Sequence, residues 1–272
     1  MKNNETDSEL KKSSKTYDFI VSLGGNCSAA GQLCQRSLRK EAMPFDYFFL
    51  RNEDDIRKFI KAFESNFEKC FLKENLRELI GDQRGNSDLI HQYQDIVSGY
   101  NIIHLFKDSK ENHREYVRCK KTIDKRLRRF YRYCELSNKI CFMLTLEYEI
   151  DTSLIDDLYS VLAHRFPNKE IDLVVVMFSC KSTSYYVNGN IDIRMHERPI
   201  NEYDYYRSNI DWIWIEDYKV KSKIKCNYLF KLFIDKRKVI LHLFNYFTTL
   251  FRVKFYVLGF QLDICIGRLR DW

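Results

Sequence analysis

Apolar residues recur along this chain in two rhythms. The segments Phe19-Ile-Val-Ser-Leu23, Lys139-Ile-Cys-Phe-Met-Leu-Thr-Leu146 and Ile171-Asp-Leu-Val-Val-Val-Met-Phe178 are nearly unbroken apolar runs of strand length. Runs of that kind belong to strands covered on both faces. Between the last two, Asp151 and Ser153 can cap a helix extending to about His164. Strand, helix and strand in that length predict a right-handed crossover and a parallel sheet. Elsewhere the spacing is three and four. Ile56, Phe59, Ile60, Phe63 and Phe67 predict a helix over 52–80. Ile123, Leu127, Phe130 and Cys134 form the apolar stripe of a second helix from about Arg114 to Glu135, with Arg118, Lys121, Lys125, Arg128 and Arg132 elsewhere around it. Gly81 to Ser87 reads as a loop, and Gly99 to Phe106 as a short strand-like segment carrying His104. The expected fold class is α/β: three layers, a mostly parallel sheet flanked by helices.

The first apolar run ends in Gly24-Gly25-Asn26-Cys27, followed by a predicted helix from Ser28 to Leu38. Glycines suit a sharp turn or a close backbone approach to a substrate. The first N–H groups of a helix lack internal partners, and the helix dipole is positive there. A thiol at that position can have a lowered pKa and act as a nucleophile. In parallel sheets the site lies at the carboxyl ends of the strands, which is where this turn falls. The plainer reading of Cys27 is a small residue closing a strand-to-helix turn.

Length and charge change the picture in three ways. The chain has 272 residues, of which 45% are hydrophobic and 15% aromatic, enough for a substantial core. Residues 1–15 read as a polar lead-in without the apolar stretch of a secretory signal, so a cytoplasmic protein is expected. The nine cysteines are scattered with no Cys-x-x-Cys pair, which fits that compartment and argues against a disulfide framework or zinc ribbon. His91, His113, His164, His196 and His242 show no metal-ligand spacing, and no metal is expected. The net charge of +7 is uneven: residues 107–139 hold 12 Lys/Arg against 5 Asp/Glu, and residues 218–254 hold 10 against 1. Two basic segments on an otherwise acidic body suggest an anionic partner. Residues 216–272 read as a basic, aromatic-rich extension, expected to be helical. Its longest uncharged piece, Val239 to Phe251, is too short to span a bilayer. Peripheral contact with the inner membrane face fits that composition, whereas no nucleic-acid-binding motif is present.

Several segments together resemble a known family. Ser22-Leu-Gly-Gly-Asn-Cys27 with Ala30 and Leu33, then Pro44-Phe-Asp46 and an aromatic, then His104, then Arg126-x-x-Arg129-Phe130, look like the bacterial papain-like cysteine peptidase family. That family is defined by Ser-Leu-Gly-x-x-Cys and Pro-Phe-Asp-Trp motifs, and here Tyr47 stands in place of the Trp. The resemblance covers roughly residues 17–215. It implies a nucleophilic Cys27, a base in His104 and an acidic group orienting the imidazole. Asp46 is the first candidate for that group and Asp108 the competitor. Gly24, Gly25 and Asn26 would line the oxyanion site, and Arg126 and Arg129 would bind an anionic group or brace Asp46. The Gly-Asn-Cys turn is also similar to one in capsular-polysaccharide biosynthesis proteins thought to transfer acetyl groups from coenzyme A. The expectation is therefore a Cys-dependent acyl-transfer enzyme, either a hydrolase or an acyltransferase of surface-polysaccharide biosynthesis. Its substrate would be an anionic small molecule, peptide or glycan. It would use no cofactor, or a coenzyme A thioester if a transferase. The alternative is a non-catalytic anion-binding or membrane-surface module.

Overall fold

The computed structural model describes residues 15–39, 41–79, 91–180, 182–197 and 212–221, and the backbone of 252–257 and 260–265. The chain divides into two compact units, residues 1–224 and 225–272.

The first unit is built on a five-stranded sheet. Its strands are β2 (Phe19–Ser22), β7 (Lys139–Leu146), β8 (Glu170–Cys180), β10 (Ile191–Glu197) and β9 (Ser184–Asn188), in that spatial order. The first four run parallel, and β9 is an antiparallel edge. Alternate residues supply two cores. Val21, Phe142, Leu144, Leu173 and Val175 face α2 (Glu53–Glu64), α3 (His113–Leu136) and α4 (Thr152–Arg165). Ile20, Cys141, Met143, Val174 and Val176 face α1 (Ser28–Gln35), together with Trp212, Ile215 and Tyr218. The apolar runs are unbroken because both faces of the central strands are covered, and the result is three layers. Asp151 caps α4 as expected, its Oδ1 accepting from the Ser153 N–H at 2.9 Å.

Several expectations need correction. The sheet system is only partly parallel. β3 (Phe48–Phe49), β6 (Asn101–Ile102), β5 (Tyr93–Asp95) and β4 (Leu76–Glu78) form a second, antiparallel sheet. The helix expected over 52–80 stops at Glu64, where Asn66 and Phe67 take positive φ. The Phe67 N–H reaches back to the Ala62 carbonyl at 2.8 Å and the Asn66 N–H to the Phe63 carbonyl at 3.2 Å. This closure satisfies the last carbonyls of the helix. Phe67 keeps the helical spacing in sequence because its ring still enters the core beside Phe45. The strand-like segment 99–106 contributes only Asn101–Ile102 to a ladder, so His104 lies beyond the strand. Of the extension expected to be helical, 252–257 and 260–265 form an antiparallel pair, β12 and β13. At the end of the lead-in, Lys15 opens a strand, β1 (Lys15–Tyr17), paired in parallel with β11 (Tyr218–Val220). Residues 1–14, the loop at 81–87 and the piece 239–251 lie outside the described residues.

Candidate functional site

The turn carrying Cys27 is fixed by the main chain. The Leu23 N–H donates to the Met143 carbonyl at 2.7 Å, and the Thr145 N–H donates to the Gly24 carbonyl at 3.0 Å. These bonds carry the turn along the end of β7. Gly24 and Gly25 sit at φ of +79° and +86°. A Cβ at Gly24 would lie 2.5 Å from the Phe45 carbonyl oxygen, and one at Gly25 would overlap that of Thr145. Both conformation and space therefore demand glycine. Gly25 also bridges in parallel to Phe49, and the Leu50 N–H donates to the Gly25 carbonyl at 3.2 Å.

Cys27 is the half-buried residue immediately before α1, and its carbonyl accepts from the Gly31 N–H at 2.9 Å. Asn26 is wholly buried, and its Oδ1 accepts from the Ser28 N–H at 2.9 Å. That bond assigns the amide orientation, because a backbone N–H needs an acceptor. It leaves Asn26 Nδ2 as a fixed buried donor with no partner among the described residues, and Ser28 Oγ and Thr145 Oγ1 beside the turn likewise have none among them. Buried unpaired polar atoms cost about 1–3 kcal/mol each and are uncommon in folded proteins.

His104 stands on the adjoining structure. Phe49 of β3 faces Gly25 on one side and pairs with Asn101 of β6 on the other. His104, two residues past β6, lies against the rings of Tyr47 and Phe49, each at 6.3 Å between centroids. It makes no hydrogen bond among the described residues. His104 is exposed as a residue, yet the two rings shield part of its imidazole from water, and this desolvation lowers its pKa below the usual 6.5, favouring the neutral form. A cavity of 260 Å³ opens where the two sheets meet, lined by Gly25, Phe49, Leu50, Arg51, Ile103, Glu147 and Tyr148. It lies past the ends of β2 and β7, where ligands of parallel sheets are bound.

The two acidic candidates are placed differently. Asp46 is fully buried, and its Oδ2 accepts from the Arg39 guanidinium and from the Met43 N–H at 2.7 Å. Burial raises its pKa to about 6, against the opposing pull of Arg39, the Met43 N–H and Arg126. Its hydrogen bonds do not go to His104. The connection runs through Arg39, which lies 6.0 Å over the Tyr47 ring, and Tyr47 meets His104 edge to face. Asp108 is exposed. It accepts from the Ser109 N–H at 2.7 Å and from the Asn112 side-chain amide at 2.5 Å, bracing the turn before α3. Those two hydrogen bonds, that from Asn112 most of all, hold its pKa below the ordinary value.

The two arginines also part company. Arg129 donates to the Ala42 carbonyl at 2.8 Å and lies 3.5 Å from Glu41. Arg126 is half-buried in the field of Asp46 and Tyr47 and makes no hydrogen bond or ion pair among the described residues. The sequence reading missed Arg39 altogether. Its pairing with Asp46 forms across an irregular loop that leaves no periodic signal.

Among the described residues no group of three or more His, Cys, Asp and Glu is arranged to hold a metal ion. No helix among them is long and apolar enough to cross a membrane. A family model described as "Putative papain-like cysteine peptidase" matches residues 18–183. No curated protein and no solved structure matches the chain.

Proposed function

Because the chain belongs to the papain-like cysteine peptidase family, matched over the segment that holds the Cys27 turn and His104, we propose that it is a cysteine hydrolase with Cys27 as nucleophile and His104 as general base. The observation that carries this reading is the Gly24–Ser28 turn. It sets a half-buried thiol before a helix, next to an Asn26 amide with no partner among the described residues, and Gly25 of the same turn lines the cavity.

In this scheme His104 takes the Cys27 proton and the thiolate attacks a carbonyl carbon. The charge that develops on the carbonyl oxygen is met by Asn26 Nδ2 and the Cys27 N–H. Collapse breaks the bond to the leaving group, which takes the proton back from the imidazole. Water, deprotonated by the same imidazole, then cleaves the thioester. The Arg39–Asp46 pair steadies Tyr47 against the imidazole, and Arg126 offers its guanidinium to an anionic part of the substrate. A sugar hydroxyl replacing water at the last step would make the enzyme an acyltransferase on surface glycans. Coenzyme A thioester would then be the donor.

Site-resolved alkylation tests the reading. In a Cys34→Ser background, which removes the exposed thiol on the same helix, Cys27 should react with iodoacetamide at pH 7 at least about tenfold faster than in a further His104→Ala variant. Equal rates in the two proteins would refute the pairing. Thioester hydrolysis should vanish in Cys27→Ala, and added glycan acceptors would divert the acyl group only in a transferase.

A further inference from the structure

The exposed face of α3 carries a second feature. Arg114, Arg118, Lys121, Lys125, Arg128 and Arg132 are all exposed, whereas Cys119, Ile123, Phe130 and Cys134 on the opposite side are buried. Their spacing alternates four and three, so they form one row along the helix, about 27 Å from end to end at 1.5 Å per residue. No carboxylate falls at these six positions, and exposed Glu135 borders the row at its Arg132 end. Arg118 leans on Glu115 at 2.6 Å. Arg114, Lys121, Lys125 and Arg128 make no ion pair among the described residues. Like charges three and four residues apart destabilise a helix, and five such neighbours follow one another here. The Glu115 carboxylate offsets part of that repulsion.

We propose that this row docks the protein on an anionic lipid bilayer surface, through contacts separate from the Cys27 site. The row lies on the outward side of a helix whose other side is packed into the domain, so its cations face the same way. Lys and Arg near an anionic leaflet are each attracted appreciably, and several together suffice for peripheral binding. Leu136, exposed four residues beyond Arg132, continues the row with one apolar contact for the interface. A single-stranded nucleic acid is the poorer fit, because the rings among these cations are turned inward: Phe130 is buried, and Tyr131 and Tyr133 are half-buried.

The test is co-sedimentation of the full chain with vesicles of phosphatidylcholine alone or with 30% phosphatidylglycerol. The wild type should pellet only with the anionic vesicles, and high salt should release it. A Lys121→Glu, Lys125→Glu, Arg128→Glu variant should partition more than about tenfold less strongly, given the attraction of each cation. Lys121→Arg with Lys125→Arg should bind as the wild type does. Unchanged binding of the triple variant would place docking in the basic 218–254 segment and overturn the proposal. Binding to single-stranded RNA or heparin without binding to anionic vesicles would overturn it as well.

Discussion

The Gly24–Cys27 turn is held by main-chain hydrogen bonds to β7 and by two glycines that admit no substitute. His104 is held by the faces and edges of two aromatic rings, with no hydrogen bond among the described residues. The turn keeps its shape from the parallel sheet, whose strands are eight and eleven residues long in β7 and β8. The ladders beside His104 are two or three residues long and depend on packing around Phe45. The contrast teaches that the nucleophile is preset by backbone geometry. The imidazole is positioned by a cluster of side chains, and that cluster is the part to perturb first.

Phe45 is wholly buried and touches the rings of Phe59, Phe63, Phe67, Tyr100 and Phe130. Phe45→Ala should lower stability by about 3–5 kcal/mol in denaturant unfolding, the largest effect expected here. Gly25→Ala strikes the other side of the comparison. Its backbone strain alone should cost about 1–3 kcal/mol, and the Thr145 carbonyl must move as well. Cys27 alkylation should slow in parallel. A variant of normal stability and reactivity would show that the turn is less constrained than its geometry demands.

Asp46 gives a pH signature. Its carboxyl titrates at about 6 in the folded protein, above the ordinary 3.8, so folding favours the protonated form. The contribution of Asp46 to stability is therefore fully present below about pH 4 and is lost as pH rises through about 6, by roughly 2–3 kcal/mol in all. Asp46→Asn should abolish that decline in urea titrations run between those pH values. A slope identical to the wild type would mean that another group is responsible.

The imidazole should leave its mark on reactivity rather than stability. Partial desolvation by the neighbouring rings favours its neutral form, so the acid limb of Cys27 alkylation should lie below pH 6.5, and His104→Gln should remove that limb. Asp108→Ala should do least. Its exposed carboxylate serves the turn before α3, so Cys27 alkylation should be unchanged and the melting temperature only slightly lowered.

Much of the scaffold could be read without coordinates. β7, α4 and β8 follow from two apolar runs and the Asp151 cap, and α3 follows from its stripe. Strand β6 and the end of α2 could not be read that way. A two-residue ladder has no period, and Phe67 continues a helical spacing after the helix has closed. The order of the candidate site was partly legible. The Gly-Gly-Asn-Cys turn reads directly, because positive φ and a cap position are local demands. The partners of Asp46 and the separation of Arg126 from Arg129 are not local, since they bring together a loop and a distant helix.

By itself the sequence determined the three apolar strands, the helices read from stripe and cap, and the strand-to-helix turn that carries Cys27, because their periods and turn residues are local. Only the tertiary structure decided which cation meets Asp46, what surrounds His104 and where the second sheet forms. Those outcomes depend on aromatic packing and buried charge between segments far apart in sequence, where many pairings satisfy the same pattern and only one fills the space.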